Sequence, residues 1–162
     1  MRRKMGFALI GLFFFLSMFI SGCSSTGYKQ EPNLCVHTET TLKCVRYVRN
    51  YDGDTITFDI DGLHSIVGKN ISVRVLGIDT PEIRGKKPCE KQRAKEAKEL
   101  VHNLLKDAKS VELRNIQRGK YFRIVADVYT DGKSVADELA KANLAYPYDG
   151  GTKSKSIDWC KK

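Results

Sequence analysis

Apolar and polar positions alternate without a break over Thr55–Ile60. Ile56, Phe58 and Ile60 fall on one side, and Thr55, Thr57 and Asp59 on the other. A period of two predicts a half-buried strand. The preceding stretch, Leu42–Val48, is apolar and β-branched enough for another strand. Asn50-Tyr51-Asp52-Gly53-Asp54 between them reads as a turn, so the pair predicts a hairpin. Asp61–Asn70, with two glycines, reads as a loop, and Ile71–Ile78 as a third, more uniformly apolar strand ended before Pro81. Ile83–Pro88 is a basic loop. The period then changes. Ala94, Ala97, Val101, Leu104, Leu105 and Ala108 keep helical spacing, with Lys and Glu opposite, which predicts a helix over about Glu90–Ala108. Val111–Ile116 and Tyr121–Tyr129 predict two further strands. Asp131-Gly132 is a turn, and Ser134-Val135-Ala136-Asp137 fits a capping box opening a short helix to about Leu144. Tyr146–Lys162 has little pattern.

The order strand, strand, strand, helix, strand, strand, helix predicts an α+β or mainly β domain. Its expected form is a small five-stranded OB-like Greek-key barrel with two helices and a short C-terminal tail. Periodicity supplies the elements and leaves closure of the barrel open. Length and composition agree with one core: the chain has 162 residues, of which 41% are hydrophobic. That content excludes wholesale disorder, and the lack of a long period excludes solenoids and coiled coils.

Met1–Gly22 stands apart from this pattern. Arg2, Arg3 and Lys4 precede an apolar run, Met5–Ile20, that is long for a secretory core and short for a spanning helix. The run ends in Ile20-Ser21-Gly22-Cys23, which resembles a bacterial lipobox. The resemblance implies cleavage before Cys23, acylation of its thiol, and export to a lipid-anchored position in the cell envelope, the outer membrane in a Gram-negative host. A single-pass anchor is the competing reading. The expected domains are a signal peptide over 1–22, a lipidated tether over 23–40 and a folded domain over 41–162. Removing the leader takes away three positive charges and no negative ones, so the net charge falls from +9 to +6. A basic balance in an exported protein points to a polyanionic partner: nucleic acid, lipopolysaccharide, teichoic acid or a phospholipid surface.

Four cysteines remain beyond Cys23: Cys35, Cys44, Cys89 and Cys160. An even number in an oxidising compartment suggests two disulfides, with three possible connectivities. The preferred set is Cys35–Cys44 as a local loop and Cys89–Cys160 as a tie from the C-terminus to the middle. The longer closure is worth roughly 4 kcal/mol in the chain-entropy view. Zinc is the weaker alternative, because no Cys-x-x-Cys occurs and His37, His64 and His102 have no ligand-like spacing.

Five polar side chains lack an obvious structural purpose. Asp54 ends the first turn, and Asp79 ends the third strand, followed by Thr80 and Glu82. Carboxylates near a hydroxyl and carbonyls suit a hard cation such as Ca²⁺. Arg74 interrupts an apolar strand, where a guanidinium requires an anion, either a structural carboxylate or a substrate phosphate. Arg123 falls on the more polar face of its strand, expected across the barrel surface, and taken alone reads as solvated. A phosphodiester needs its charge neutralised and a water activated in line with the leaving oxygen. Arginines with a metal, and a carboxylate or metal-bound water, provide these.

Asp52-Gly53-Asp54-Thr55, then Arg74-Val75-Leu76-Gly77-Ile78-Asp79-Thr80-Pro81-Glu82, then Lys120-Tyr121-Phe122-Arg123 resemble the motifs of the staphylococcal (thermonuclease-like) nuclease family. They occur in that family's order over roughly Val45 to Tyr148. The resemblance implies an OB-like barrel and a monomeric, Ca²⁺-dependent endonuclease that cleaves DNA and RNA to 3′-phosphate ends. It implies metal binding by Asp54, Asp79 and the Thr80 carbonyl, and phosphate binding by Arg74 and Arg123. Glu82 would position or deprotonate the attacking water. Lys120, Tyr121, Tyr146 and Tyr148 fall at nucleotide-contacting positions. Phe122 departs from the family's glycine there, Asp61–Asn70 is long, and the tail after Tyr148 is short, although Trp159 matches a late tryptophan. Two rivals remain: a catalytically silent nucleic-acid-binding domain of the same fold, and a basic OB-like module binding envelope polyanions.

Overall fold

The computed structural model describes residues 35–153 and 157–161. The expected leader, Cys23 with its expected acylation, and most of the expected tether lie outside the described residues. Thr55–Ile60 forms β3, with Ile56, Phe58 and Ile60 almost fully buried, as its alternation requires. It pairs antiparallel with β2 (Val45–Asn50) in the expected hairpin and on its other side with β4 (Ile71–Val75). β6 (Val111–Arg118) pairs antiparallel with β7 (Ile124–Thr130), and β7 joins β4 in a parallel ladder. A two-residue β1 (Thr41–Leu42) adds to the far side of β6, giving the order β1-β6-β7-β4-β3-β2.

Helix α2 (Pro88–Leu105) begins two residues earlier than its period predicts, because Pro88 occupies the first turn, where its fixed φ suits a helix start. Ala94, Ala97, Val101 and Leu105 are its buried face. They pack in a core with Phe58, Val73, Val75, Leu113, Ala126 and Val128, joined by Val135 and Leu139 of α3 (Val135–Lys141). Ser134 caps α3 by accepting the Asp137 N–H at 3.2 Å. Among the described residues no helix is long and apolar enough to cross a membrane.

The architecture is mixed α/β, and four local expectations change. The strand Leu42–Val48 divides at Cys44, whose φ of 50° turns the chain so that β1 and β2 join different neighbours. The loop Asp61–Asn70 holds a helical turn, α1 (Ser65–Gly68), so there are three helices rather than two; His64 Nδ1 caps it by accepting the Ile66 N–H. The third strand ends at Val75. Gly77 takes φ +78° and sends Ile78–Asp79 into a separate β5, which pairs with β9 (Tyr146–Pro147). Before Ile124 the strand Tyr121–Tyr129 gives way to a loop, with Tyr121 and Phe122 both at left-handed φ. β8 (Lys133–Ser134) is a short addition to β7.

The barrel does not close by hydrogen bonds: among the described residues no ladder joins β1 to β2, the two ends of the sheet order. Only Lys43 and Cys44 separate those strands in the chain, so the sheet curls until its two edges are neighbours. This arrangement is compatible with an OB-like fold. The cysteines pair as preferred, Cys35–Cys44 with Cα atoms 5.3 Å apart and Cys89–Cys160 with 5.4 Å.

Candidate active site

The turn between β2 and β3 is built to hold Asp54 still. Asp52 Oδ1 accepts the N–H groups of Asp54 (3.2 Å) and Thr55 (2.8 Å). Asn50 Nδ2 donates to the carbonyls of Asp52 and Lys98, both at 2.9 Å, and so bolts the turn to α2. Tyr47 Oη donates to Asn50 Oδ1 at 2.6 Å and completes the clamp. Gly53 faces α2 so closely that a Cβ would stand 2.8 Å from the Ala97 Cβ and 3.0 Å from a Thr80 methyl. Asp52 was legible only as a turn residue; its burial shows that it anchors the turn.

Asp54 and Asp79 are 3% and 2% exposed. Arg74, facing them from β4, bridges both: Nη1 donates to Asp54 Oδ1 at 3.0 Å and Nη2 to Asp79 Oδ1 at 2.8 Å. The guanidinium therefore meets its anion within the protein. Asp54 also accepts from Thr55 Oγ1 and, at 3.2 Å, from the Thr80 N–H. The bend at Gly77 and the β5–β9 pairing set Asp79 opposite Tyr146, whose Oη donates to Asp79 Oδ2 at 2.8 Å. Tyr146 is thus a largely buried residue in tilted contact with Trp159, ring centroids 5.5 Å apart. Burial, then the hydrogen bond to Asp79, push its phenol up to about 12.

A cleft of about 510 Å³ opens beside this network. Its walls include Arg74, Glu82, Lys120, Arg123, Tyr148 and Lys153. Arg123 is not the solvated surface residue expected of it in isolation: its Nε is buried and is the one buried side-chain polar atom without a hydrogen-bond partner among the described residues. A buried donor left unpaired is costly, so an unspent N–H on a residue lining a cleft marks a place for an anion. Tyr148 lies under the Arg74 guanidinium, 5.5 Å from ring centroid to Cζ. Tyr121 is 96% exposed and does not line the cleft. Phe122 keeps the left-handed backbone that a glycine favours and stacks under Arg118 at 4.9 Å, leaving Arg123 on the cleft wall.

Lys153 is the member that sequence reasoning missed. Its Nζ lies 2.9 Å from Asp79 Oδ1 and pairs closely with Glu82. It sits in a tail without periodicity, where no local signal marks it.

Negative charge dominates the interior of the site. Burial, then the neighbouring Asp52 charge, raise Asp54 to about 6 from an ordinary 3.8, although Arg74 opposes the shift. Burial likewise raises Asp52. Burial works against the Arg74 charge, but Asp54 and Asp79 hold the guanidinium above its usual value. The chemistry suits a hard cation: two buried carboxylates, Asp54 and Asp79, face one guanidinium. Among the described residues no three His, Cys, Asp or Glu side chains group as metal ligands, so such an ion would complete its shell with water or substrate oxygens.

The family described as Staphylococcal nuclease homologue matches residues 72–158, a little more than half of the chain. Endonuclease YncB of Bacillus subtilis is 35% identical over 124 residues, covering 72% of this chain and 56% of that protein. The SPbeta prophage-derived endonuclease YokF of the same organism is 38% identical over 120 residues, 70% of this chain and 38% of its own length. A thermonuclease of Staphylococcus hyicus is 32% identical over 123 residues, 75% of this chain and 68% of its own. The chain thus spans about half the length of YncB and less of YokF. With the family match spanning Arg74–Glu82 and Lys120–Arg123, and a thermonuclease relative covered over more than two thirds of its length, the chain belongs to the staphylococcal nuclease homologue family.

Proposed function

We propose that this protein is a Ca²⁺-dependent endonuclease that hydrolyses phosphodiester bonds of DNA and RNA and leaves 3′-phosphate ends. The observation that carries the reading is the convergence of Arg74, Arg123 and Glu82 on one cleft beside the buried Asp54–Asp79 pair. Asp54, Asp79 and the Thr80 carbonyl would hold the ion. When bound, Ca²⁺ would supply Lewis-acid stabilisation of the phosphate charge. The unspent Arg123 donor and the Arg74 guanidinium bind the non-bridging oxygens and hold them as charge builds on phosphorus. Glu82 accepts a proton from the attacking water, whose oxygen bonds to phosphorus. The P–O5′ bond breaks, the 5′-oxygen leaves with that electron pair and takes a proton from solvent, and the phosphate stays on the 3′ side. The basic balance of the chain draws a polyanion to the cleft.

The silent binding domain is not favoured, because the acidic and arginine positions of the motifs are all present. Plasmid nicking by the purified chain, with Ca²⁺ and with chelator, tests the reading; no cleavage under either condition rejects it. Export and acylation at Cys23 complete the proposal, supported by the leader pattern and by two disulfides that suit an oxidising compartment.

The raised Asp54 pKa sets a pH dependence. Between about pH 4 and 6 the folded state binds a proton at Asp54 that the unfolded chain does not. In chelator, that contribution stabilises the fold as pH falls through 6, because buried charge is shed. The Asp59 and Asp131 carboxylates, held below their ordinary values by backbone N–H donors, lose their own contributions only at lower pH. The same proton competes with metal, so Ca²⁺ affinity weakens below about pH 6. Thermal melts of wild type and Asp54→Asn across this window check the sign: the wild-type gain on acidification should be smaller in the variant, where only buried Asp52 still contributes.

A further inference from the structure

We infer that Lys153, paired with Asp79 and Glu82, is an internal counter-cation that competes with a divalent ion, so that this lysine sets how tightly the site takes metal. The inference rests on the metal site proposed above.

Asp79 accepts three hydrogen bonds. Oδ1 takes Arg74 Nη2 at 2.8 Å and Lys153 Nζ at 2.9 Å, while Oδ2 takes Tyr146 Oη at 2.8 Å. An ion ligated by Asp79 meets the charge of the two cations already on Oδ1 and competes with them for the carboxylate. Arg74 and Tyr146 are held by strands. Arg74 lies in β4 and is tied to Asp54 as well, and Tyr146 sits in β9, paired with β5. Lys153 is held differently. It extends from the tail, its side chain is half-exposed, and its other partner, Glu82, is itself exposed. Its contact is the one that opens at least cost in packing.

The chemistry also suits substitution of one cation for another. An ammonium is a compact, strongly hydrated point charge on a flexible stem, so it returns to water readily, unlike a planar guanidinium fixed by two carboxylates. It remains charged while it competes: Glu82 and Asp79 hold its pKa above the ordinary value against the effect of burial. Lys87, which borders the same acidic end of the site, pairs with Asp158 at 3.1 Å.

The tail delivers this ammonium by being fixed on both sides. Upstream, β9 pairs with β5, Tyr148 Oη donates to the Gly151 carbonyl at 2.6 Å, and the Gly151 N–H donates to Asp149 Oδ1 at 2.9 Å. Downstream, Cys160 is bonded to Cys89 at the start of α2.

Calorimetric titration of the full chain with Ca²⁺ alone, without nucleic acid, tests the inference, with the Ca²⁺-induced rise in Tm as a second reading. Lys153→Gln should bind Ca²⁺ about two- to fivefold more tightly than wild type, the scale of losing one partly exposed ion pair as competitor. Lys153→Arg, which keeps the charge, should stay near wild type. Equal or weaker binding by Lys153→Gln overturns the role assigned to Lys153 while leaving the metal site standing. Absence of any Ca²⁺ heat and any Tm shift in wild type and Lys153→Gln alike overturns the metal reading, and this inference with it.

Discussion

Replacing Arg123 with alanine should lower kcat on duplex DNA about 10²–10³-fold while leaving the melting temperature nearly unchanged. The two expectations follow from one fact. The Arg123 Nε has no partner within the described protein, so its removal breaks no hydrogen bond made through that atom. Its contribution is realised when a phosphate supplies the missing acceptor. Arg123→Lys should also be impaired, because a single ammonium cannot donate in parallel to two phosphoryl oxygens. Glu82→Gln should cost turnover on a similar scale, with substrate binding retained. Steady-state kinetics with melting curves decide the matter. A loss smaller than about tenfold in both variants would remove Arg123 and Glu82 from the chemistry.

Arg74→Met should destabilise the metal-free protein by about 3–5 kcal/mol, the usual cost of breaking a buried ion pair by removing one partner. Asp54 and Asp79 would then face each other with their bridging guanidinium gone. The deficit should shrink when Ca²⁺ is added, because an ion that binds only the folded state stabilises it, by about 2.7 kcal/mol at a hundred times its Kd. Urea unfolding in chelator and in Ca²⁺ measures both. A loss under about 1 kcal/mol in chelator would show that the two carboxylates do not depend on Arg74.

What could be read from the chain follows the range of the interactions involved. β3 and α2 announce themselves because their buried faces repeat every two residues or every three to four, a property of the local backbone. Arg74, Asp79 and Glu82 stand out as charges beside an apolar run. The break at Gly77 was hidden, because apolar Val75, Leu76 and Ile78 surround it and one glycine does not reveal a turn. Tyr146 was expected at a nucleotide pocket; its place in the interior follows from β5–β9 pairing across 67 residues. Lys153 owes its position to that pairing and to Cys89–Cys160, neither of which leaves a periodic trace around it. Asp52 looked like any turn aspartate until the Asn50 clamp placed it under α2.

The two edges of the curled sheet carry one more consequence. β1 offers only two residues, and the Cys35–Cys44 bond ties down the chain on either side of it. Along β2, exposed Arg46 and Arg49 flank an irregularity in the register between Tyr47 and Arg49. Short length, charge and a bulge are the means by which sheet proteins refuse strands from other molecules. Among the described residues, the edges of this sheet therefore offer crowded copies no long, flat ribbon of free amide and carbonyl groups on which to nucleate a cross-β aggregate.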